Sequence, residues 1–90
     1  MGHLWMTWSL EGVGSAGQNV ADVEAACHAL IGSVERSRRA FDEPEPWEAL
    51  RRSALIIQDQ MLGTGREVLD QGREWTSTLK GVSIVLIPRD

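Results

Sequence analysis

The side chains of this 90-residue chain that are capable of catalysis are few and poorly spaced for it. Cys27 and His28 are neighbours, and adjacent side chains on a helix point about 100° apart, so they do not form a nucleophile and base pair. His3 is far from both, and no two of these three residues lie three or four positions apart, the spacing with which one helix face binds a metal. We therefore expect a protein with no enzymatic activity, no metal site and no cofactor.

The carboxylates cluster in the segment DEPEP at residues 42–46, with Glu48 close behind. A pair of carboxylates can act as general acid and general base when an apolar pocket raises one pKa. The two prolines indicate a turn instead, and no such pocket is implied. We interpret residues 42–46 as a solvated acidic corner.

A glycine motif, Gly12, Gly14 and Gly17 in the spacing G-x-G-x-x-G, lies between a predicted strand and a predicted helix. It resembles the phosphate-binding fingerprint of dinucleotide-binding domains, in which backbone amides approach a pyrophosphate at a helix N-terminus. The chain departs from that family outside the motif, because no second parallel strand follows the first predicted helix. We expect residues 11–18 to be a connecting loop, with nucleotide or phosphate binding through the three glycines as the alternative function.

Side chains suited to protein binding are more prominent. Trp5 lies on the face of the first strand opposite Leu4 and Met6, and a small domain rarely leaves so large a ring in water without a partner or a covering segment. Arginine pairs flank the acidic corner and can orient a partner by charge. The residues expected to bind a partner protein are Trp5, Arg38, Arg39, Phe41, Arg51 and Arg52.

The composition favours one folded domain over residues 1–90. The chain is 42% hydrophobic and 24% charged, as is ordinary for globular proteins. The net charge of −4 repels phosphate backbones, so nucleic acid is not an expected partner. Eight arginines against one lysine indicate a GC-rich genome, which suggests a bacterial or phage source.

The expected location is the cytoplasm. Cys27 is the single cysteine, so the chain has no internal disulfide and suits a reducing compartment. No secretion signal is recognisable at the N-terminus, and no stretch approaches about 18 consecutive apolar residues, so we expect no contact with the membrane.

The elements that position these residues follow from the spacing of the apolar side chains. Residues 3–10 alternate in polarity, which predicts a strand. Apolar residues recur every three or four positions over 19–41 and 47–62, which predicts two helices, the first capped by Asn19. Gly63 and Gly65 together cost about 2 kcal/mol in a helix interior, which favours a loop. The helical spacing of apolar residues nevertheless continues to Val68, so the sequence does not decide whether residues 63–72 form a loop or a helix.

Residues 75–79 and 82–87 predict a hairpin whose last strand, a nearly unbroken apolar run, is buried on both faces. The element order is then β-α-α-β-β. The predicted fold is α+β, with an antiparallel helix pair packed on a small sheet made of the N-terminal strand and the C-terminal hairpin. Leu55, Ile56 and Leu62 are expected to widen the buried face of the second helix.

The first predicted helix is about 33 Å long and the sheet only about 25 Å. Its overhanging end, around Val34 and Phe41, then needs an apolar contact from outside the chain. We therefore expect a small non-enzymatic regulatory protein, similar to inhibitors and immunity proteins in kind, that binds another protein and acts as a homodimer or higher homo-oligomer.

Overall fold

In the computed structural model, which describes residues 2–89, helices cover one face of a four-stranded antiparallel sheet. The strands are β1 (His3–Leu10), β2 (Gly14–Val20), β3 (Trp75–Leu79) and β4 (Val82–Arg89), in the order β2-β1-β4-β3. The helices are α1 (Val23–Arg36) and α2 (Pro44–Gln60), with a 3₁₀ turn at Ser37–Ala40 between them. A π-helical turn (Met61–Gly65) and α3 (Arg66–Asp70) continue α2.

The predicted α+β fold is confirmed, with the helices packed on a sheet that contains the N-terminal strand and the C-terminal hairpin. The structure adds β2, which the sequence pattern did not predict. Residues 14–20 form a hairpin with β1, so the expected connecting loop at 11–18 is wrong. Gly12 and Gly14 have φ angles of 79° and 142°, a backbone conformation that lets glycine close this tight turn.

The added strand shortens the first helix. Asn19 pairs with Trp5 in the sheet, and the helix is capped instead by Asp22, whose Oδ1 accepts a hydrogen bond from the Ala25 amide at 2.8 Å. The α-helix ends at Arg36, so its 14 residues span about 21 Å. It does not overhang the sheet, and Val34 is fully buried by the chain itself. The overhang is therefore no longer an argument for self-association.

Contacts between the helices show that they run antiparallel. They join residues at increasing separation along the chain, as antiparallel packing requires: Trp47 with Val34, Arg51 with Glu35, Cys27 with Met61, and Arg66 with Glu24. Residues 63–70 are helical, and the cost of the two glycines is offset at Gly65, where a Cβ would lie 3.1 Å from the ring of Trp75. Only glycine packs there without displacing the ring.

Cys27 is buried in the core, with its Sγ 3.5 Å from Sδ of Met61. Burial raises the pKa of this thiol, and the carboxylate of Glu24 raises it further. The thiolate needed for reaction is therefore scarce in the folded protein. We expect Cys27 to react with a chromogenic disulfide reagent at the rate at which the protein unfolds, and at once in denaturant.

The same pKa shift predicts a pH dependence of stability. Above a pH of about 8.5 the unfolded thiol loses its proton while the folded one keeps it, so the unfolded state binds fewer protons. The free energy of unfolding should then fall as the pH rises past that value, and Cys27→Ala should remove this part of the fall. Urea titrations on either side of that pH test it, and an equal fall in both proteins would contradict it.

Candidate protein-binding site

The sheet has a second face, on the side away from the helices, that the described residues leave uncovered. The register of the strands places alternate residues on this uncovered face. Its members are His3, Trp5, Thr7, Ser9, Ser15, Gly17, Asn19, Thr76, Thr78, Ser83, Val85, Ile87 and Arg89. On β4, Val82, Ile84 and Leu86 are buried against the helices while the intervening residues stay partly exposed, so the prediction that this strand is buried on both faces is wrong.

Charge is nearly absent from the uncovered face. Its members include no carboxylate, and Arg89 is their one side chain with a full charge, in a chain that is 24% charged. The acidic residues within 2–89 lie instead on the helices, turns and loops. Depletion of charge together with an aromatic side chain is typical of the core of a protein interface.

Trp5 lies near the centre of this face and is held in place from two sides. Its ring lies across β2 at Gly17, where a Cβ would come within 2.9 Å of Cζ2. The guanidinium of Arg89 lies 5.5 Å from the ring centroid, within cation–π range. Ile87 is directly opposite Trp5 on β4. The indole is thus partly covered by the C-terminal strand and positioned before any partner arrives, which lowers the entropy cost of binding.

An open cavity of ≈ 410 Å³ adjoins the tryptophan. Its lining includes Thr7, Ser15, Gly17 and Val85, so it combines small hydroxyl groups with apolar surface. Such a surface accepts side chains of a partner without burying a charge of its own. A partner that brought a charge into this cavity would find no opposite charge there.

The structure does not bring the other predicted partner-binding residues near Trp5. Arg38, Arg39, Phe41, Arg51 and Arg52 lie in or next to the helix layer, on the opposite side of the sheet. The predicted single site is therefore two surfaces.

The arginines of the helix layer differ in their contacts. Arg38 lies over the ring of Trp47, with its guanidinium carbon 5.3 Å from the ring centroid. Arg51 forms an ion pair of 2.9 Å with Glu35 on α1. All four arginines of this layer are exposed to solvent. Arg38 and Arg51 differ from the other two in that they also contact a neighbouring helical element.

Three apolar side chains on α2 and the π turn are exposed, although the sequence pattern predicts that they are buried. Leu55, Ile56 and Leu62 have 36%, 49% and 36% of their surface accessible, so the prediction that they widen the buried face is wrong. At 100° per residue, Leu55 and Ile56 lie on either side of Arg52, well away from the buried stripe. A helical-wheel projection of the sequence places Leu55 and Ile56 on the exposed side of α2.

The glycine motif lies in the β1–β2 hairpin, not in the strand-to-helix turn of the dinucleotide-binding fingerprint. Gly12 and Gly14 shape the β1–β2 turn, and Gly17 lies beneath Trp5. The N-terminus of α1 is capped by the carboxylate of Asp22, with Glu24 in its first turn. These acids occupy the positive end of the helix dipole and repel a phosphate there.

Cys27 is buried while His28 is exposed. Within residues 2–89 no group of three or more His, Cys, Asp and Glu side chains is arranged to hold a metal ion. No helix in this part of the chain is long and apolar enough to cross a membrane.

Comparison of the chain with protein-family models, with curated proteins and with solved structures finds no match. No function is therefore carried over from another protein, and the two surfaces described above are the basis for inferring one.

Proposed function

We propose that this chain is a small non-enzymatic regulatory protein, of the inhibitor or immunity-protein kind, that self-associates through its uncovered sheet face and binds a partner protein through its helix layer. The observation that carries the proposal is the uncovered face, where Trp5, Val85 and Ile87 adjoin and none of residues 2–89 contributes a carboxylate. A short chain buries a small fraction of its surface when it folds, so covering this face by association adds stability.

A second copy suits the uncovered face for reasons of geometry and charge. Two sheets pack face to face about 10 Å apart, and a two-fold axis brings the same patch of each copy together. A surface whose one fully charged side chain among the described residues is Arg89 is only weakly repelled by its own copy. Four strands about 4.8 Å apart and about 23 Å long present roughly 440 Å² of flat footprint, below the roughly 800 Å² per partner of a standard interface. We therefore expect a reversible oligomer.

Face-to-face packing would leave the helix layer outward, available to a different protein. Arg52 with Leu55 and Ile56 joins a cation to exposed apolar surface on one side of α2. Arginine beside apolar side chains is the composition at which binding energy concentrates in interfaces. Arg39 adds charge at the corner before α2, which favours an acidic surface on the partner.

Replacing Trp5 by alanine should weaken self-association at least about tenfold, because it removes the aromatic anchor from the centre of the face. Ser9→Ala is the matched control, since it changes a small exposed residue on the same face of the same strand. Sedimentation velocity over a range of concentrations measures both dissociation constants. Equal constants for Trp5→Ala and wild type would refute the assignment of this face.

A further inference from the structure

Strand β2 is an open edge of the sheet. It is the outermost strand in the order β2-β1-β4-β3 and pairs only with β1. Alternate N–H and C=O groups along it therefore point away from the sheet. Of its seven residues, Gly14–Val20, only Val20 is buried. The edge is long enough to accept a further strand over its whole length.

This edge lacks the charged residues and prolines that usually hinder strand addition. Between Gly14 and Val20 there is no charged residue and no proline. The opposite edge differs: β3 has five residues, and its Ser77 hydroxyl donates to Oε1 of Gln60 on α2 at 2.7 Å. Glu74 and Lys80 flank β3 with charge. The two edges are thus unequal, and β2 is the one left open.

The helix layer leaves room beside β2. A groove of ≈ 360 Å³ lies between this strand and α1, and its lining includes Leu10, Ala16, Ser33 and Arg36. From α1, the partly buried Ser33 and the exposed Arg36 line it. The groove therefore offers space for side chains of a strand added at β2.

We propose that β2 pairs antiparallel with β2 of a second copy, about a two-fold axis near Gly17, to form a continuous eight-stranded sheet. The occupant is a second copy because an uncharged strand does not repel itself, and because antiparallel pairing of two identical strands follows a two-fold axis, the commonest symmetry of homo-oligomers. This inference rests on the proposed homo-oligomer and adds a second contact to it. Edge pairing and face packing together give a tetramer with two stacked sheets.

The test compares particle masses by light scattering at ~100 µM, a concentration at which interfaces of this size associate. The chain has a mass of 10.0 kDa, and we expect the wild type at four times this value. Ala16→Lys places a lysine from each copy at the edge contact and should halve the mass. Thr64→Lys, the control, adds the same charge at an exposed site on the π turn and should leave the mass unchanged.

The outcomes separate this inference from the proposed function. If the wild type stays at 10.0 kDa, both fail. If the mass falls with Val85→Glu on the uncovered face but not with a folded Ala16→Lys, only the edge contact is wrong. If it falls with Ala16→Lys but not with Val85→Glu, the edge contact stands and the face contact is wrong.

Amide hydrogen exchange on the wild type covers the case in which Ala16→Lys does not fold. Protection of the β2 amides should increase with protein concentration, while the β3 edge should not change. Protection that is independent of concentration would overturn the inference. The edge of β2 would then be available to pair with an extended segment of another protein.

Discussion

Replacing Trp47 by alanine is expected to lower the free energy of unfolding by about 3–5 kcal/mol. Trp47 is 8% exposed at the junction of α1 and α2, and its Nε1 donates a hydrogen bond of 2.8 Å to the carbonyl of Val34. That carbonyl lies in the last turn of α1, where it also accepts a hydrogen bond from the backbone N–H of Ser37. The indole thus packs into the junction of the two helices and also forms a hydrogen bond to the last turn of α1.

The expected loss is a large share of the total free energy of unfolding. At roughly 0.05–0.15 kcal/mol per residue, a chain of this length has about 5–13 kcal/mol in all. Urea unfolding followed by circular dichroism measures the change. A loss below about 1 kcal/mol, the size of effect typical of surface substitutions, would contradict the role assigned to this tryptophan.

Trp47→Phe separates the packing from the hydrogen bond. The Ser37 hydroxyl also donates to the Val34 carbonyl, at 2.7 Å, so the carbonyl keeps a partner when the indole N–H is removed. We therefore expect the phenylalanine variant to lose only about 1–2 kcal/mol. An equal loss in the two variants would mean that the aromatic ring does not stabilise the junction.

Replacing Val85 by glutamate is expected to raise the dissociation constant of the face contact at least about 100-fold. Val85 lies between Thr7 and Thr76 on the uncovered face, with no cation directly beside it in the register. A two-fold contact would bury one carboxylate from each copy, and an uncompensated buried charge costs about 3–5 kcal/mol. The monomer should still fold, because this side chain stays partly exposed on the isolated chain.

Val85→Thr is the control, since it keeps the shape of the side chain and adds only a hydroxyl like those beside it. Sedimentation equilibrium gives the dissociation constants, and thermal unfolding shows whether each variant is folded. A folded Val85→Glu protein that associates like the wild type would exclude the uncovered face as the contact between copies.

The helices and the C-terminal hairpin could be predicted because their apolar residues repeat with the period of the element. Strand β2 could not be, since Gly14, Ser15, Ala16 and Gly17 carry no apolar alternation. Pairing with β1 and the packing of Trp5 on Gly17 stabilise it, and both are tertiary contacts. Missing β2 also gave the wrong start for the first helix. Asn and Asp cap helices about equally well, and only the length of β2 decides between Asn19 and Asp22.

The candidate site was predictable in part. Trp5 was identified because strand alternation places it opposite the core residues, and that side of the sheet proved to be uncovered. The sequence did not show that the arginines of the helix layer lie across the sheet from it. Sequence spacing fixes which residues share a face of one element, but not which side of the sheet a later element covers.

The most direct test of the central claim, that the uncovered face is covered by a second copy, is the mass of the wild-type protein by light scattering from about 1 to about 200 µM, the range in which small interfaces associate. We expect the mass to rise with concentration to at least twice the 10.0 kDa of the chain. A mass of 10.0 kDa across the whole range would contradict the claim.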